Sequence, residues 1–258
     1  MKNILILILS IIMLTSCNKD AEIIEQVNNV QRVEKSLIPA VIQHYQNITQ
    51  PTSGIVKLHL YRTLAVKNEP QGGSSSIDGY ILDDNGEAQD FGTITVGTTS
   101  LTANSNNGNM YGGGNLESRE YYGLNTTFSG TIFPSTTMYI PKKIDITNFE
   151  QIPGNRPVIQ GGTTIEWNDD DKNSLGVLII VKYLSIDNLS GEHPEVEDVV
   201  LTGDDGTYTF TNDFLSQFPD NSKLSVTLVR GNYEVVTATD GRKIMLCNYS
   251  MMEGLFDY

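Results

Sequence analysis

The chain has 258 residues, with 17 Lys and Arg against 31 Asp and Glu and a formal net charge of −14. Such a surface repels nucleic-acid phosphates and anionic lipid headgroups alike, which argues against nucleic-acid binding and polybasic membrane contact. The length is enough for one large or two small hydrophobic cores.

The chain begins with a short positive stretch, Met1-Lys2-Asn3, and residues 4–13 are almost unbroken apolar. That run is too short to span hydrocarbon, which takes about 20 residues, but it matches the core of a secretory signal. Leu14-Thr15-Ser16-Cys17 closes it. The tetrapeptide resembles the lipobox of bacterial lipoproteins. The resemblance implies that residues 1–16 are a signal peptide removed before Cys17, whose thiol receives a diacylglyceryl group. Two or more acyl chains hold a protein stably at a bilayer, whereas one binds marginally. Asn18-Lys19-Asp20-Ala21-Glu22 follows. It resembles the export signal of surface lipoproteins in the Bacteroidota, with Ala21 interrupting the acidic pair. This implies an outer-membrane location facing the exterior; the competing reading is a charged, solvated tether.

Residues 21–38 are the one stretch with helical periodicity. Ile23, Val27, Val30 and Leu37 fall near one face, Glu22, Glu25, Arg32 and Lys35 lie elsewhere, and Pro39 follows. We expect residues 17–54 to be a lipidated tether carrying this short helix. From residue 55 the period changes to two: Val56, Leu58 and Leu60 alternate with Lys57, His59 and Tyr61, as in a half-buried strand. Short β-prone runs follow at 77–82, 91–96, 120–128 and 138–140. Gly-, Ser-, Asn- and Asp-rich linkers separate them at 71–76, 83–87 and 104–115. Such punctuation predicts a β-rich sandwich over residues 55–153.

Farther on, residues 163–167 form a strand ending in Trp167, the single Trp, and residues 177–183 are apolar on both faces, as a central strand is. Residues 206–210 and 224–228 read as further strands, with a Leu215-to-Pro219 corner between them, and residues 243–249 as the last. This order resembles a fibronectin type III-like domain, in which a Trp sits on the second strand, a Tyr on the third and a Leu-to-Pro corner before the sixth. Trp167, Tyr183 and the 215–219 corner occupy those places. Leu224 replaces the Tyr expected early in the sixth strand, and residues 232–240 insert a hairpin-like stretch. The predicted architecture is all-β: two β-sandwich domains, 55–153 and 154–258, behind the anchor and tether.

Candidate sites are few. In Asp169-Asp170-Asp171-Lys172-Asn173, the side chains of Asp169, Asp171 and Asn173 alternate as calcium ligands do. However, Ser174 and Ile180 stand where an EF-hand loop needs Gly and a bidentate Glu. An Asx-rich turn accounts for the same residues. Tyr111, Tyr121 and Tyr122 lie in or beside a Gly/Asn-rich loop and could stack a sugar ring. Cys247 lies in a strand-like run without a basic or His neighbour in sequence, and reads as a small buried hydrophobe. His44, His59 and His193 share no motif, and no zinc-binding His-Glu-x-x-His, nucleophile elbow or phosphate loop is present. The sequence therefore predicts no catalytic, cofactor or metal residues, and lipidation at Cys17. It points to a non-enzymatic outer-membrane lipoprotein that binds protein within an envelope complex. The alternatives are a glycan-binding accessory in nutrient capture and an extracellular hydrolase.

Overall fold

In the computed structural model, residues 53–64, 72–112, 119–152, 155–184 and 197–258 are described, all within one compact unit. The lipobox and the 21–38 helix lie outside the described residues. The fold is all-β, as the sequence predicts.

Alternation decides the first strand. In β1 (Gly54–Thr63) every second side chain is buried, with Val56, Leu58 and Leu60 fully so. It pairs antiparallel with β2 (Gly73–Ile81). Residues 74–76, which read as linker, belong to β2, because a nine-residue register with β1 outweighs the weak strand propensity of Ser and Gly. Gly79 is required there, since a Cβ would collide with the carbonyl oxygen of Ile55. The short strands β3 (Ile94–Val96), β4 (Thr99–Leu101), β7 (Asn125–Gly130) and β8 (Thr136–Tyr139) form a four-stranded sheet in the order β4-β3-β7-β8. The stretch read as a linker at 104–115 is partly strand: β5 (Ala103–Asn104) and β6 (Met110–Gly112) pair with each other, and β6 pairs with β2.

The second half contributes β9 (Thr164–Glu166), β10 (Val177–Tyr183), β11 (Glu197–Thr202), β12 (Thr207–Thr209), β13 (Lys223–Thr237) and β14 (Lys243–Asp257). The apolar run of β10 is central, between β11 and β13, and its first five residues are buried. The 215–219 corner is entered through a single helical turn, α1 (Asn212–Leu215), capped by the Thr211 hydroxyl, which accepts from the Phe214 N–H at 3.1 Å. Leu215 and Phe218 drop from it into the core.

One eight-stranded sheet, ordered β11-β10-β13-β14-β1-β2-β6-β5, runs through both halves of the sequence. Its central pairing is β1 with β14, in parallel and over ten residues. On one side of this sheet lie two hydrophobic cores. The first joins Val56, Leu58 and Ile77 to Ile94, Val96 and Phe128 of the four-stranded sheet, and also takes Val236, Ala238, Ile244 and Leu246. The second joins Val177, Ile179, Leu224, Val226 and Phe256 to Ile165, Trp167 and Phe210 near the β9–β12 pair.

The large sheet crosses the expected boundary between 55–153 and 154–258. At about 3.3 Å per residue, a 15-residue strand is about 50 Å long, more than one sandwich-like layer needs. The β13–β14 hairpin therefore supplies the second core with one end and the first core with the other. Residues 232–240, read as an inserted hairpin, are the continuation of β13 and its turn.

Candidate functional site

Parity along the strands separates two faces of the large sheet. Even-numbered residues of β1, β13 and β14 enter the cores, and odd-numbered ones form the opposite, outer face. On that outer face the register places His59 opposite Ser76 on one side and Tyr249 on the other, and Lys57 opposite Asp78. The Ser76 hydroxyl lies 2.9 Å from His59 Nδ1 and hydrogen-bonds the Asp78 carboxylate. Asp78 also sits 3.2 Å from the Lys57 ammonium and 3.7 Å from His59 Nδ1. The His59 ring stacks on Tyr249, with centroids 5.7 Å apart and planes 13° from parallel. Burial holds the His59 pKa below its ordinary value, against the pull of Asp78 and with the help of Lys57. Beside this cluster opens a recess of about 300 Å³ lined in part by Ser76, Asp78, Asn107 and Met110.

The residue types are those of a nucleophilic triad, but the geometry differs. In a working triad the serine and the carboxylate address opposite ring nitrogens, so that one accepts the hydroxyl proton while the other orients the ring. Here Ser76 and Asp78 both approach Nδ1. The single Ser76 proton cannot serve the carboxylate and the imidazole at once. The arrangement is a cross-strand polar ladder that ties β1 to β2.

A second polar assembly lies on the core side. Arg230 and Asp204 form an ion pair at 2.6 Å, with side chains 0% and 2% exposed. Asp204 also accepts from Trp167 Nε1 at 3.0 Å and from the Asn173 side-chain amide at 2.8 Å. Arg230 donates to the carbonyls of Lys142 and Asn168. Next to it, Asp170 accepts from the Tyr139 hydroxyl and the Lys142 N–H. Burial and the Asp170 carboxylate push the Tyr139 phenol up to about 12.

These contacts determine the 169–173 loop. Asp170, the residue skipped by the alternating reading, is buried at 1% exposure, and Asn173 at 9%. Asn173 donates to Asp204 and to the Gly176 carbonyl, and its own oxygen accepts from Leu175 N–H, as in an Asx turn. Of the three alternating residues, Asn173 is thus committed to Asp204 and to backbone. Among the described residues, no group of three or more His, Cys, Asp or Glu is arranged to hold a metal ion.

The tyrosines expected to stack a sugar are placed differently from that expectation. Tyr111 and Tyr121 are buried in the first core, at 1% and 6% exposure, and Tyr122 packs partly buried against it. Their hydroxyls serve the fold: Tyr111 accepts from Phe91 N–H at 2.7 Å, Tyr121 bonds Thr99 at 2.8 Å, and Tyr122 donates to the Tyr249 carbonyl at 2.6 Å. The reason is register. Tyr111 on β6 opposes Gly79 of β2, and that pairing turns its ring inward. Cys247 is a free, fully buried thiol, pushed up to about 12 by burial.

Sequence reading missed the His59–Ser76–Asp78–Lys57 ladder and the Arg230–Asp204 hub. The alternation that puts Lys57 and His59 on one face is visible in sequence, as is the i, i+2 spacing of Ser76 and Asp78. The register joining the two strands is not. No protein family, curated protein or solved structure matches the chain.

Proposed function

We propose that this chain is an exported lipoprotein, anchored through Cys17 in the outer membrane and facing the exterior, whose β-rich body binds protein non-enzymatically as a subunit of an envelope complex. The observation that carries the anchoring is Leu14-Thr15-Ser16-Cys17 behind the apolar run of residues 4–13. Asn18-Lys19-Asp20-Ala21-Glu22 supports the outward, Bacteroidota-type address. The non-enzymatic reading is supported by how the chemistry-bearing side chains are used. Asp204, Arg230 and Asp170 are committed to one another and to backbone, and Ser76 and Asp78 crowd one nitrogen of His59. The pairing of β9 with β12, facing β11-β10-β13-β14, supports a fibronectin type III-like reading of residues 154–258.

The test has two stages. The intact mass of the membrane-extracted protein should show loss of residues 1–16 and gain of acyl chains, and Cys17→Ser should release the protein from the membrane. Mild-detergent purification of a C-terminally tagged copy should then retain a stoichiometric envelope protein. An unmodified Cys17 would overturn the anchoring; a protein recovered alone would overturn the assembly role. The burial of Tyr111 and Tyr121 weighs against the glycan-binding alternative, of whose named residues Tyr122 alone is partly exposed.

A further inference from the structure

The recess on the outer face owes its room to one glycine. Directly opposed residues of an antiparallel pair stand side by side on one face, and β6 sets Gly112 opposite Asp78. Gly112 has φ 102°, and a Cβ there would stand 2.7 Å from the Ile77 carbonyl oxygen and 3.1 Å from Asp78 Cβ. The place beside Asp78 on the β6 side therefore carries no side chain. The recess of about 300 Å³ opens there, lined by Gly112 with Ser76, Asp78, Asn107 and Met110. That volume is at the lower end of the range for small-ligand sites.

We propose that this recess binds a primary ammonium group on an aliphatic stem, carried by a free amine or by a lysine side chain of another protein. Asp78 is the one charged residue among the described residues that line it. Strand β2 lies between β1 and β6. Lys57 and His59 therefore approach Asp78 from the β1 side, while the recess opens on the β6 side. His59, whose pKa burial lowers, is uncharged at neutral pH and adds no second positive charge. The net charge of −14 draws cations toward the molecule as a whole.

The carboxylate's existing partners decide between ammonium and guanidinium. A carboxylate offers about four lone-pair positions, and Lys57 at Oδ1 and Ser76 at Oδ2 take two of them. A guanidinium fork needs both oxygens along one open edge, whereas an ammonium is a compact point charge that needs a single free position. The exposed Asn107 amide oxygen can accept a second N–H of the same ammonium. Half-buried Met110 supplies a flexible apolar wall for the methylenes of the stem. The inference rests on the recess and depends neither on the anchoring nor on an envelope partner.

The test is an amide chemical-shift titration of the full chain carrying Cys17→Ser, with N-acetyl-lysine methylamide as the probe. Shifts should centre on Asp78, Met110 and Gly112, with a dissociation constant on the order of millimolar for a ligand of this size. N-acetyl-norleucine methylamide, which keeps a similar stem and lacks the ammonium, should not bind, and the arginine analogue should bind at least about threefold more weakly. Asp78→Asn should weaken the lysine probe about tenfold. Lys57→Gln should tighten it about threefold by removing a competing cation, whereas a carboxylate that only holds β1 to β2 would gain nothing from that change. Butylamine bound as tightly as the capped lysine identifies a free amine as the ligand, and weaker binding identifies a lysine side chain. The comparison of probes needs no substitution and stands even where Asp78→Asn fails to fold. Absence of shifts at those amides, equal binding of the norleucine or arginine probe, or weaker binding in Lys57→Gln would each overturn the proposal.

Discussion

Truncating Asp204 should be among the most damaging single changes in this protein. Asp204→Ala removes the partner of Arg230, whose side chain is wholly buried, and strands two further donors, Trp167 Nε1–H and the Asn173 amide. Breaking a buried ion pair from one side costs about 3–5 kcal/mol, because the remaining charge has no water to turn to. Each orphaned neutral donor adds about 1–3 kcal/mol when it cannot relax. These terms share one site and do not sum, so we expect about 4 kcal/mol in total. Against a domain stability of about 5–15 kcal/mol, that is a large fraction.

The assay is urea unfolding of the Cys17→Ser chain, followed by the fluorescence of Trp167, the single Trp and a direct partner of Asp204. With a slope of about 2–3 kcal/mol per molar urea, the midpoint should fall on the order of 1.5 M. Arg230→Met combined with Asp204→Ala should be less damaging than the sum of the two, with a coupling of at least about 2 kcal/mol, since the double variant leaves no unpaired charge. A cost below about 1 kcal/mol for Asp204→Ala would refute the claim that this pair is desolvated and essential.

The half-exposed Lys57–Asp78 pair provides the contrast, and Lys57→Ala should shift the urea midpoint by only about 0.5 kcal/mol equivalent. Tyr111→Ala should cost about 3–5 kcal/mol by opening a cavity in the first core, and glycan binding by calorimetry should not depend on it. Gly79→Ala should cost about 2 kcal/mol or more, read from the same unfolding curves, because the strand pair must separate to admit the Cβ. Alkaline stability should fall as pH rises from about 9 toward 12. The Cys247 thiol is raised from 9.0 to about 12 by burial, and Tyr61 from 10.0 to about 12 by burial and Glu253, so the unfolded state sheds these protons first. Cys247→Ala should flatten the early part of that loss, and an unchanged pH profile would contradict it. His59 has the opposite sign: its folded pKa lies below 6.5, so its contribution is lost as pH falls below about 6.5, and His59→Gln should remove that acid-side slope.

What was legible in the sequence was local. Alternation in residues 55–61 and the apolar run of 177–183 produce β1 and β10, because the side-chain period of a strand is a property of the strand alone. Asp-Gly and Asn-Gly turns, the burial of Cys247 and the position of Trp167 immediately after β9 were readable on the same ground.

Tertiary structure decided everything that depends on which strand lies beside which. The parallel pairing of β1 with β14 joins residues about 190 positions apart and runs one sheet through both halves of the sequence. Register then turns Tyr111 inward, gathers Lys57, His59, Ser76 and Asp78 on one face, and draws Asp204, Arg230 and Trp167 into a dry hub. A one-residue change of register exchanges the two faces of a strand without altering its hydrophobic pattern. The faces are told apart only when the whole sheet packs, so the sequence determined the strands and the fold determined the sites.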